Sequence, residues 1–204
     1  MKVLITLGPT QEPIDVVRFI SNASSGKMGA ALAREAIKRG YEVTLVSGII
    51  NIRLPENARI LRVKTANDMI STSLTELGDN YDLFISTAAI ADYSPMKIDD
   101  KKIKSGKEIM EIKLMPTPKL TREVRVNHPN MFIVAFKAEY NLTEKELIKR
   151  ARSKLNEEHL NLVVANDLKK NGFGSDSTEV VIINKKKIIH LSRDTKENIA
   201  EGIW

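Results

Sequence analysis

The chain has 204 residues, 42% of them hydrophobic, which is enough to bury the core of one large domain. Its 32 Lys and Arg residues against 26 Asp and Glu residues give a net charge of +6, which favours an anionic partner, either a nucleic acid or a phosphorylated small molecule. The chain has no cysteine, which excludes disulfides, thiolate metal sites and cysteine nucleophiles.

Short apolar runs alternate with helical patterns, most clearly in the first half of the chain. Strands are predicted near residues 2–7, 42–47, 60–63, 83–88, 131–136 and 162–166. Helices are predicted near residues 25–39, 66–78, 118–127 and 143–158, the last with Thr143 and Glu146 at the spacing of a capping box. This alternation is typical of right-handed crossover units. We therefore predict an α/β fold, a Rossmann-like and mostly parallel sheet with helices on both faces.

The end of the chain breaks this alternation. Two apolar runs, residues 180–184 and 188–191, flank three consecutive lysines. They predict an antiparallel hairpin within residues 178–192, which is appended to the sheet or covers its edge. A short helix is predicted from Asp194 to Trp204, and residues 1–204 are expected to form one domain.

Residues 93–113 match neither a helix nor a strand. They contain six lysines, one proline and one glycine. A long charged loop in a compact domain is usually functional or mobile, so one interpretation is a mobile lysine-rich lid. In that case Lys101, Lys102 and Lys104 would neutralise phosphate. The other interpretation is a solvated surface loop without a role in function.

The residues from Arg18 to Gly29 lie between the first strand and the first helix, and they combine two cations, an amide, three hydroxyls and two glycines. They do not match the dinucleotide-binding fingerprint, because its first glycine is missing and no acidic residue ends the second strand. They do not match a P-loop either, because Met28 stands where Ser or Thr should follow Lys27. Both standard phosphate motifs are therefore disfavoured.

The same loop still has the groups that an anion site needs. Arg18 and Asn22 can hold a carboxylate or a phosphate. The N-terminus of the following helix can hold an anion. Together with this helix N-terminus, the residues expected to bind the anion are Ser24, Ser25, Gly26 and Lys27. The alternative is that Asn22 and Ser24 only cap the helix.

A second candidate segment, residues 86–93, closes a buried strand. Open parallel sheets bind ligands at the carboxyl ends of their strands, and the small residues here would let a flat ligand approach the backbone. Asp92 could accept ribose hydroxyls or act through a metal–phosphate, or it could only cap the next turn. Phe136 ends another strand, where it belongs to the core or packs against a base. The three histidines lack the spacing of zinc ligands.

Several ordered segments share their pattern with a known family. They are residues 9–15, 17–22, 24–29, 88–93, 102–104 and 164–167, and residues 172–176 also fit. In this order they resemble phosphopantothenoylcysteine synthetase, the ligase of coenzyme A biosynthesis that in many microbes forms the second half of a bifunctional flavoprotein. The resemblance implies that a nucleoside triphosphate, typically CTP, activates the carboxylate of 4′-phosphopantothenate as an acyl-nucleotide with loss of pyrophosphate. The amine of L-cysteine then displaces CMP to form the amide.

The resemblance also implies roles for single residues. Asn22 matches the asparagine that stabilises the acyl-nucleotide, and Arg18 matches an arginine near it. Lys102 matches a lid lysine associated with conversion of this intermediate to product. The positions near the nucleotide are matched by Ser24, Ala89, Asp92, Phe136 and, at the triphosphate, Lys154.

Two positions bear on how far this pattern carries over. Glu158 stands where many bacterial members have a second basic residue, four positions after Lys154. Residues 135–140 stand where the family usually shows Gly-Phe-x-Ala-Glu-Thr, and Lys137 occupies the variable position. We expect Lys137 to supply the positive charge that Glu158 removes.

The expected cofactor is Mg²⁺, which accompanies the triphosphate and for which the sequence identifies no protein ligand. FMN is not expected, because the flavin-binding decarboxylase half is absent from this sequence. The chain is therefore either a free-standing synthetase or the second half of a fused protein, with a phosphopantothenoylcysteine decarboxylase as an expected partner. The family forms dimers, so we expect a homodimer in which each subunit helps to close the site of the other.

No apolar run approaches the ~20 residues of a membrane span, and with 5% aromatic residues the chain is poorly supplied with stacking platforms for single-stranded nucleic acid. We expect a cytoplasmic protein with neither a membrane nor a nucleic acid as partner. The choice between CTP and ATP stays open. A non-catalytic nucleotide sensor or nucleic-acid-binding module is the alternative hypothesis, and an NAD-dependent reductase is disfavoured by the missing glycine and acid.

Overall fold

The structure, a computed structural model, describes residues 1–106, 109–172 and 174–204. Its strands are β1 (Lys2–Leu7), β2 (Gln11–Pro13), β3 (Phe19–Ser21), β4 (Glu42–Ser47), β5 (Arg59–Arg62), β6 (Leu83–Ser86), β7 (Tyr93–Pro95), β8 (Leu114–Pro116), β9 (Phe132–Glu139), β10 (Leu162–Asp167), β11 (Ser177–Ile183) and β12 (Ile188–Thr195). Its helices are α1 (Lys27–Lys38), α2 (Ala66–Leu77), α3 (Leu120–Asn127), α4 (Glu144–Glu157), α5 (Leu168–Asn171) and α6 (Lys196–Ile203).

The largest sheet in these residues has eight strands in the order β12-β11-β10-β9-β6-β1-β4-β5. The six strands from β10 to β5 are parallel, and crossover connections join those that follow one another in the chain. The last two strands form an antiparallel hairpin, which pairs with β10 through β11. The predicted α/β fold, with a mostly parallel sheet and an appended hairpin, is confirmed.

Each side of the sheet has its own apolar core. Val3, Ile5 and Leu7 of β1 pack on the side of α1 and α6, whereas Leu4 packs with α2, α3 and α4 on the other side. Side chains alternate along a strand, so a run of apolar residues in a covered parallel strand supplies both cores. Phe84 is fully buried, and burying a side chain of this size contributes roughly 1.5–3 kcal/mol. These two cores hold the strand ends in place.

The helices with predicted bounds lie within two residues of them at both ends. The capping box of α4 is also confirmed: Thr143 accepts from the Glu146 amide, and the Glu146 carboxylate accepts from the Thr143 amide. Strand β9 is longer than predicted and runs to Glu139, while β6 ends at Ser86. The regular elements therefore follow the periodicity of the sequence closely.

Two small antiparallel ribbons differ from the predicted organisation. The loop that was expected to run directly from strand to helix contains β3, which pairs with β2. The segment 93–113 was expected to lack strands, but β7 at its start pairs with β8 just after it. Lys107 and Glu108, within that segment, lie outside the described residues. Strands of three residues are too short to show a period of two in the sequence.

The two ribbons carry many exposed apolar side chains. They and the segments next to them include Val16, Val17, Phe19, Tyr93, Met96, Ile98, Leu114 and Met115, each more than two-fifths exposed. Scattered apolar residues on a surface are normal, whereas a concentration on neighbouring ribbons marks a contact surface. None of the helices in the described part of the chain combines the length and apolar character needed to cross a bilayer.

Candidate functional site

The strand order of the sheet reverses at β1. The chain continues from β1 to β4 and β5 on one side, and then returns to β6, β9 and β10 on the other side. Open α/β sheets bind ligands outside the carboxyl ends of their strands at such a point. A cleft of about 800 Å³ opens there. Its described lining includes residues 22–29, 86–92, 117–122 and 135–139, parts of α4, and residues near β11 and α6.

The N-terminus of α1 forms one wall of this cleft. Its N-cap is Gly26, whose φ of 73° is left-handed and which offers no side-chain acceptor, while the Ser25 hydroxyl accepts from the Lys27 amide at 3.4 Å. The alternative in which Asn22 and Ser24 only cap the helix is therefore wrong. A helix end whose N-cap position offers no side-chain acceptor presents N–H groups and a partial positive charge to an anion.

Gly29 sets how closely α1 approaches the strand ends. A Cβ atom at this position would lie 2.5 Å from both Leu7 Cβ and Thr87 Oγ1, so only glycine fits without a shift of β1 or of the β6 loop. Thr87 lines the cleft together with the first turn of α1. The close contact therefore brings the N-terminus of α1 against the two central strand ends.

Asn22 joins the two walls of the cleft. Its Nδ2 donates to the carbonyl oxygens of Ala89 at 3.1 Å and Ile90 at 3.2 Å. Both acceptors are backbone oxygens, which fixes the amide nitrogen toward them and directs the amide oxygen elsewhere. Ala89 itself pairs with Pro9 in an isolated parallel bridge. The Asn22 side chain is thus held by the backbone that follows β6.

Basic side chains dominate the charge of the cleft. Its described lining has seven cations against four carboxylates: Lys27, Lys119, Arg122, Lys137, Arg150, Lys154 and Lys196, against Asp92, Glu139, Glu157 and Glu158. Most of these cations are paired with a carboxylate. Lys119 pairs with Asp92, and Glu139 accepts from both Lys137 at 3.0 Å and Arg150 at 2.8 Å. The residual charge of the cleft favours an anionic ligand.

Glu158 binds the lysine that was expected to meet a triphosphate. Lys154 Nζ lies 2.9 Å from Glu158 Oε1 and 2.8 Å from Oε2. The Thr121 hydroxyl donates to the same carboxylate, which is 7% exposed as a residue. A nearly buried carboxylate needs such partners, because its charge is otherwise poorly solvated. The departure from the family pattern at Glu158 therefore has a structural consequence, since it neutralises Lys154.

Lys196, at the start of α6, is a site residue that the sequence did not predict. Its Nζ donates to the Ser175 carbonyl oxygen, while Lys27 Nζ donates to Gly174 O at 2.8 Å and to Asp176 at 2.6 Å. Burial, and then the charge of Lys27, lowers the pKa of Lys196. The hydrogen bond from Lys27 lowers the pKa of Asp176. No local pattern links two lysines so far apart in the sequence.

Of the two roles expected for Phe136, the core role is confirmed, and packing against a base stays a prediction. It packs against the core on the side of α1, and it lines the cleft. Asp92 is exposed and holds Lys119, and its backbone oxygen accepts from Thr117 N at 2.9 Å. The predicted residues that line one cleft are Asn22, Ser24, Ser25, Gly26, Lys27, Ala89, Asp92, Phe136 and Lys154. Phe173, in the last matching motif, lies outside the described residues.

The profile of the DNA/pantothenate metabolism flavoprotein C-terminal domain family matches residues 1–204. The chain belongs to this family. This match confirms the resemblance to phosphopantothenoylcysteine synthetase that the sequence motifs indicate. The chain is 42% identical, over 205 residues, to the coenzyme A biosynthesis bifunctional protein CoaBC of Thermococcus kodakarensis, covering 100% of this chain and 50% of that protein. The chain thus spans about half the length of the curated relatives that it matches.

Solved structures agree with this assignment. The C-terminal domain of a coenzyme A biosynthesis bifunctional protein CoaBC superposes with a TM-score of 0.82 at 32% identity, covering 99% of this chain and 91% of that one. A DNA/pantothenate metabolism flavoprotein from Streptococcus pneumoniae superposes with a TM-score of 0.88 at 27% identity, covering 100% and 96%. The fold of this chain is therefore that of its relatives.

Two predicted catalytic residues of this domain lie away from the cleft. Neither Arg18 nor Lys102 is among the described residues that line it. Arg18 pairs with Asp15 at the turn between β2 and β3, and its Nη1 donates to the Ile103 carbonyl oxygen at 3.2 Å. Arg18 and Asn22 are four positions apart along extended chain, which corresponds to roughly 13 Å at the usual rise per residue. The structure thus brings Arg18 and the Lys102 segment together, but apart from Asn22.

Proposed function

We propose that this domain is the ligase that joins 4′-phosphopantothenate to L-cysteine in coenzyme A biosynthesis, consuming CTP and releasing CMP and pyrophosphate. The observation that carries the proposal is the basic cleft at the reversal of strand order, which the fixed Asn22 and the N-terminus of α1 line together. Two anionic reactants must meet there, and a preorganised set of donors and cations is what lowers their repulsion. The names of the relatives support coenzyme A biosynthesis as the setting.

The reaction has two steps. A carboxylate oxygen of 4′-phosphopantothenate attacks the α-phosphorus of CTP, and pyrophosphate leaves. The amine of cysteine then attacks the acyl carbon, loses a proton and displaces CMP. We propose that Lys27, Lys154 and Lys196 neutralise the phosphates, and that Asn22 orients the acyl-nucleotide between the two steps. A free carboxylate is a poor acyl donor, which is why the first step is needed.

The remaining contacts in this proposal concern the nucleoside. The exposed face of Phe136 would pack against the base, and Asp92 would accept the ribose hydroxyls in exchange for Lys119. Ser24, Ser25 and Gly26 would place backbone and hydroxyl donors at the α-phosphate. Glu139 and its two cations, Lys137 and Arg150, follow Phe136 in the sequence and line the same cleft.

Magnesium would enter with the triphosphate. Among the described residues, no cluster of three or more histidine or acidic side chains could hold a metal ion. The carboxylates of the cleft are also already paired with cations. These donors do not fit a protein-held magnesium site, so we propose that Mg²⁺ is bound by phosphate oxygens and water, as this ion commonly is.

We also propose that the domain forms a homodimer through the two ribbons. Arg18 and Lys102 do not reach the cleft of their own subunit, and the apolar side chains around them are exposed. A second copy that covers these ribbons would bury this surface and bring the lysine-rich segment to a neighbouring cleft. Sedimentation of the wild type against Val17→Asp tests this: a dimer that becomes a monomer is expected, and a wild-type monomer at micromolar concentration would contradict the proposal.

The decisive experiment follows the reaction directly. The chain is incubated with CTP, magnesium and 4′-phosphopantothenate, with and without cysteine, and pyrophosphate and acyl products are measured by enzymatic assay and mass spectrometry. We expect pyrophosphate and acyl-nucleotide without cysteine, and the amide with it. Nucleotide binding without pyrophosphate release from either CTP or ATP would contradict the ligase and support a nucleotide sensor. Competition between the two nucleotides determines the base preference.

Two further expectations accompany this proposal. Because the chain spans about half of its curated relatives, we propose that a phosphopantothenoylcysteine decarboxylase, fused or separate, takes the product. The cytoplasmic location expected from the sequence stays a prediction.

A further inference from the structure

A buried carboxylate stands at the turn between β2 and β3. The side chain of Asp15 has no exposed surface. Its Oδ1 accepts from the backbone amides of Val17 at 2.8 Å and Arg18 at 2.7 Å. Its Oδ2 accepts from the Arg18 guanidinium and, at 3.1 Å, from the backbone amide of Ile103. Four donors therefore satisfy this carboxylate, and one of them comes from the lysine-rich segment.

The peptide groups of Ile103 are held from both sides. The N–H donates to Asp15, and the carbonyl oxygen accepts from Arg18 Nη1 at 3.2 Å. A third bond anchors the same segment, because Asp99 N donates to Ile14 O at 3.0 Å. Residues 99–103 are thus docked on the turn of the β2–β3 ribbon.

This docking fixes the backbone positions of Lys102 and Lys104. Ile103 is half-buried, whereas its neighbours Lys102 and Lys104 are both exposed. Because the peptide groups next to them are fixed, the two ammonium groups can explore only the reach of their side chains. Without the bonds to Asp15 and Arg18, the whole segment could move.

A purely local role for Asp15 would need only part of this geometry. The bonds from the Val17 and Arg18 amides are enough to shape a turn. The bond to Ile103 joins residues 88 positions apart and adds nothing to that turn. Glu12 shows the contrast: it is also buried in the ribbon, but its carboxylate accepts from Ala66 N at 2.8 Å, at the start of α2.

We propose that Asp15 is a positioning residue for the reaction: with Arg18 it clamps the Ile103 backbone and thereby fixes the position from which Lys102 acts. The catalytic part of this inference rests on the proposed ligase function. Arg18 then acts chiefly by holding the segment, and Lys102 is the group that meets the reacting molecules. Burial would raise the pKa of Asp15, but the bonds from Val17, Ile103 and Arg18 outweigh it and lower the pKa to about 2.

The first test does not depend on activity. Hydrogen exchange of the Ile103 amide and tryptic cleavage after Lys102 are compared in the wild type, Asp15→Asn and Arg18→Gln. Because both variants break the clamp, exchange and cleavage should accelerate by about tenfold or more, as expected for local opening. Glu12→Gln is the matched control, and it should leave this segment unchanged. Unaltered exchange in Asp15→Asn, or equal acceleration in Glu12→Gln, would overturn the proposal.

The second test separates positioning from general damage. Asp15→Asn should slow the conversion of acyl-nucleotide to product about tenfold, while the nucleotide KM stays unchanged because the cleft is intact. In a Lys102→Gln background, Asp15→Asn should add no further loss, because both changes remove the same contribution. A full additional loss in the double variant would refute the role through Lys102. If the wild type releases no pyrophosphate, the ligase proposal fails, while the exchange experiment still decides the clamp.

Discussion

The cleft and the clamp on the β2–β3 turn are built in different ways. The cleft lies on the ends of long strands whose side chains fill two apolar cores. The clamp joins a ribbon of three-residue strands to residues 99–103 and depends on one buried carboxylate. A single substitution in the cleft therefore removes one contact from a rigid frame. In the clamp, one substitution releases a segment, so its effect should appear in dynamics and in conversion rather than in binding.

The largest expected effect concerns the cleft. Asn22→Asp should lower product formation on the order of 1000-fold, as for the loss of one fixed donor near a developing charge. A carboxylate cannot donate to the carbonyl oxygens of Ala89 and Ile90, and it repels an anionic substrate. Steady-state product formation measures the loss, and circular dichroism checks that the fold persists.

Asn127→Asp is the matched control for this change. Asn127 is also exposed and its Nδ2 donates to a backbone oxygen, that of Glu123 at 2.9 Å, but it lies on α3 away from the lining. Its variant should keep wild-type turnover. Wild-type turnover in Asn22→Asp would remove Asn22 from the mechanism.

The next effect concerns the clamped segment. Lys102→Gln should slow product formation about 100-fold, the scale of a misplaced reacting group, while the pyrophosphate burst remains and acyl-nucleotide accumulates. Rapid quench followed by mass spectrometry measures the intermediate. Lys97→Gln, at an exposed lysine of the same segment that lies near Asp99, should behave as the wild type. Loss of the pyrophosphate burst together with the product would instead place Lys102 in the first step. The clamped segment and the cleft would then not differ in the step that they serve.

A smaller effect tests charge compensation in the cleft. Lys137→Ala should raise the nucleotide KM about tenfold with little change in kcat, because a charged contact used in binding is lost. Glu139 would keep Arg150 as its partner. Lys149→Ala, on the exposed side of α4, serves as the control. If the nucleotide KM of Lys137→Ala is unchanged, Lys137 does not replace the charge that Glu158 removes.

The smallest effect is the pH dependence of the clamp. The pKa of Asp15 is lowered from 3.8 to about 2, so its ionised form stabilises the folded state above the ordinary pKa, and this contribution disappears as pH falls through about 2. The difference in thermal midpoint between the wild type and Asp15→Asn should be constant at neutral pH and shrink below about pH 4. Calorimetry over this range measures it, with the exposed Asp100→Asn as control. A difference that grows on acidification would have the wrong sign.

The same contrast explains what the sequence could predict. Strands such as β1 and β4 appear as apolar runs, and the order of the motifs brings Asn22, Ala89 and Phe136 to one edge of a parallel sheet. The N-terminal glycine of α1 was visible, although its left-handed conformation was not. The frame of the cleft is thus encoded in local periodicity and in strand order.

The clamp and the charge pairs depend on contacts between distant residues. Asp15 and Ile103 are 88 positions apart, and no period or motif connects them. Lys27 and Lys196 meet the same loop only because α6 returns to the side of α1. The pair between Lys154 and Glu158 has the local i,i+4 spacing of a helix, but the bond from Thr121 to Glu158 joins residues 37 positions apart. Tertiary contacts of this kind have no local signal in a single sequence.

The pair between Lys154 and Glu158 has a consequence for affinity. If Lys154 binds a phosphate, it must leave or share a carboxylate that already satisfies it, so nucleotide binding is an exchange of counter-ions and not a simple addition. The affinity then measures the difference between two ion pairs. Added salt screens both of them, so this lysine should contribute little to the salt dependence of binding. Without nucleotide, the ion pair with Glu158 stabilises the Lys154 charge, and the same pair lowers the affinity for nucleotide.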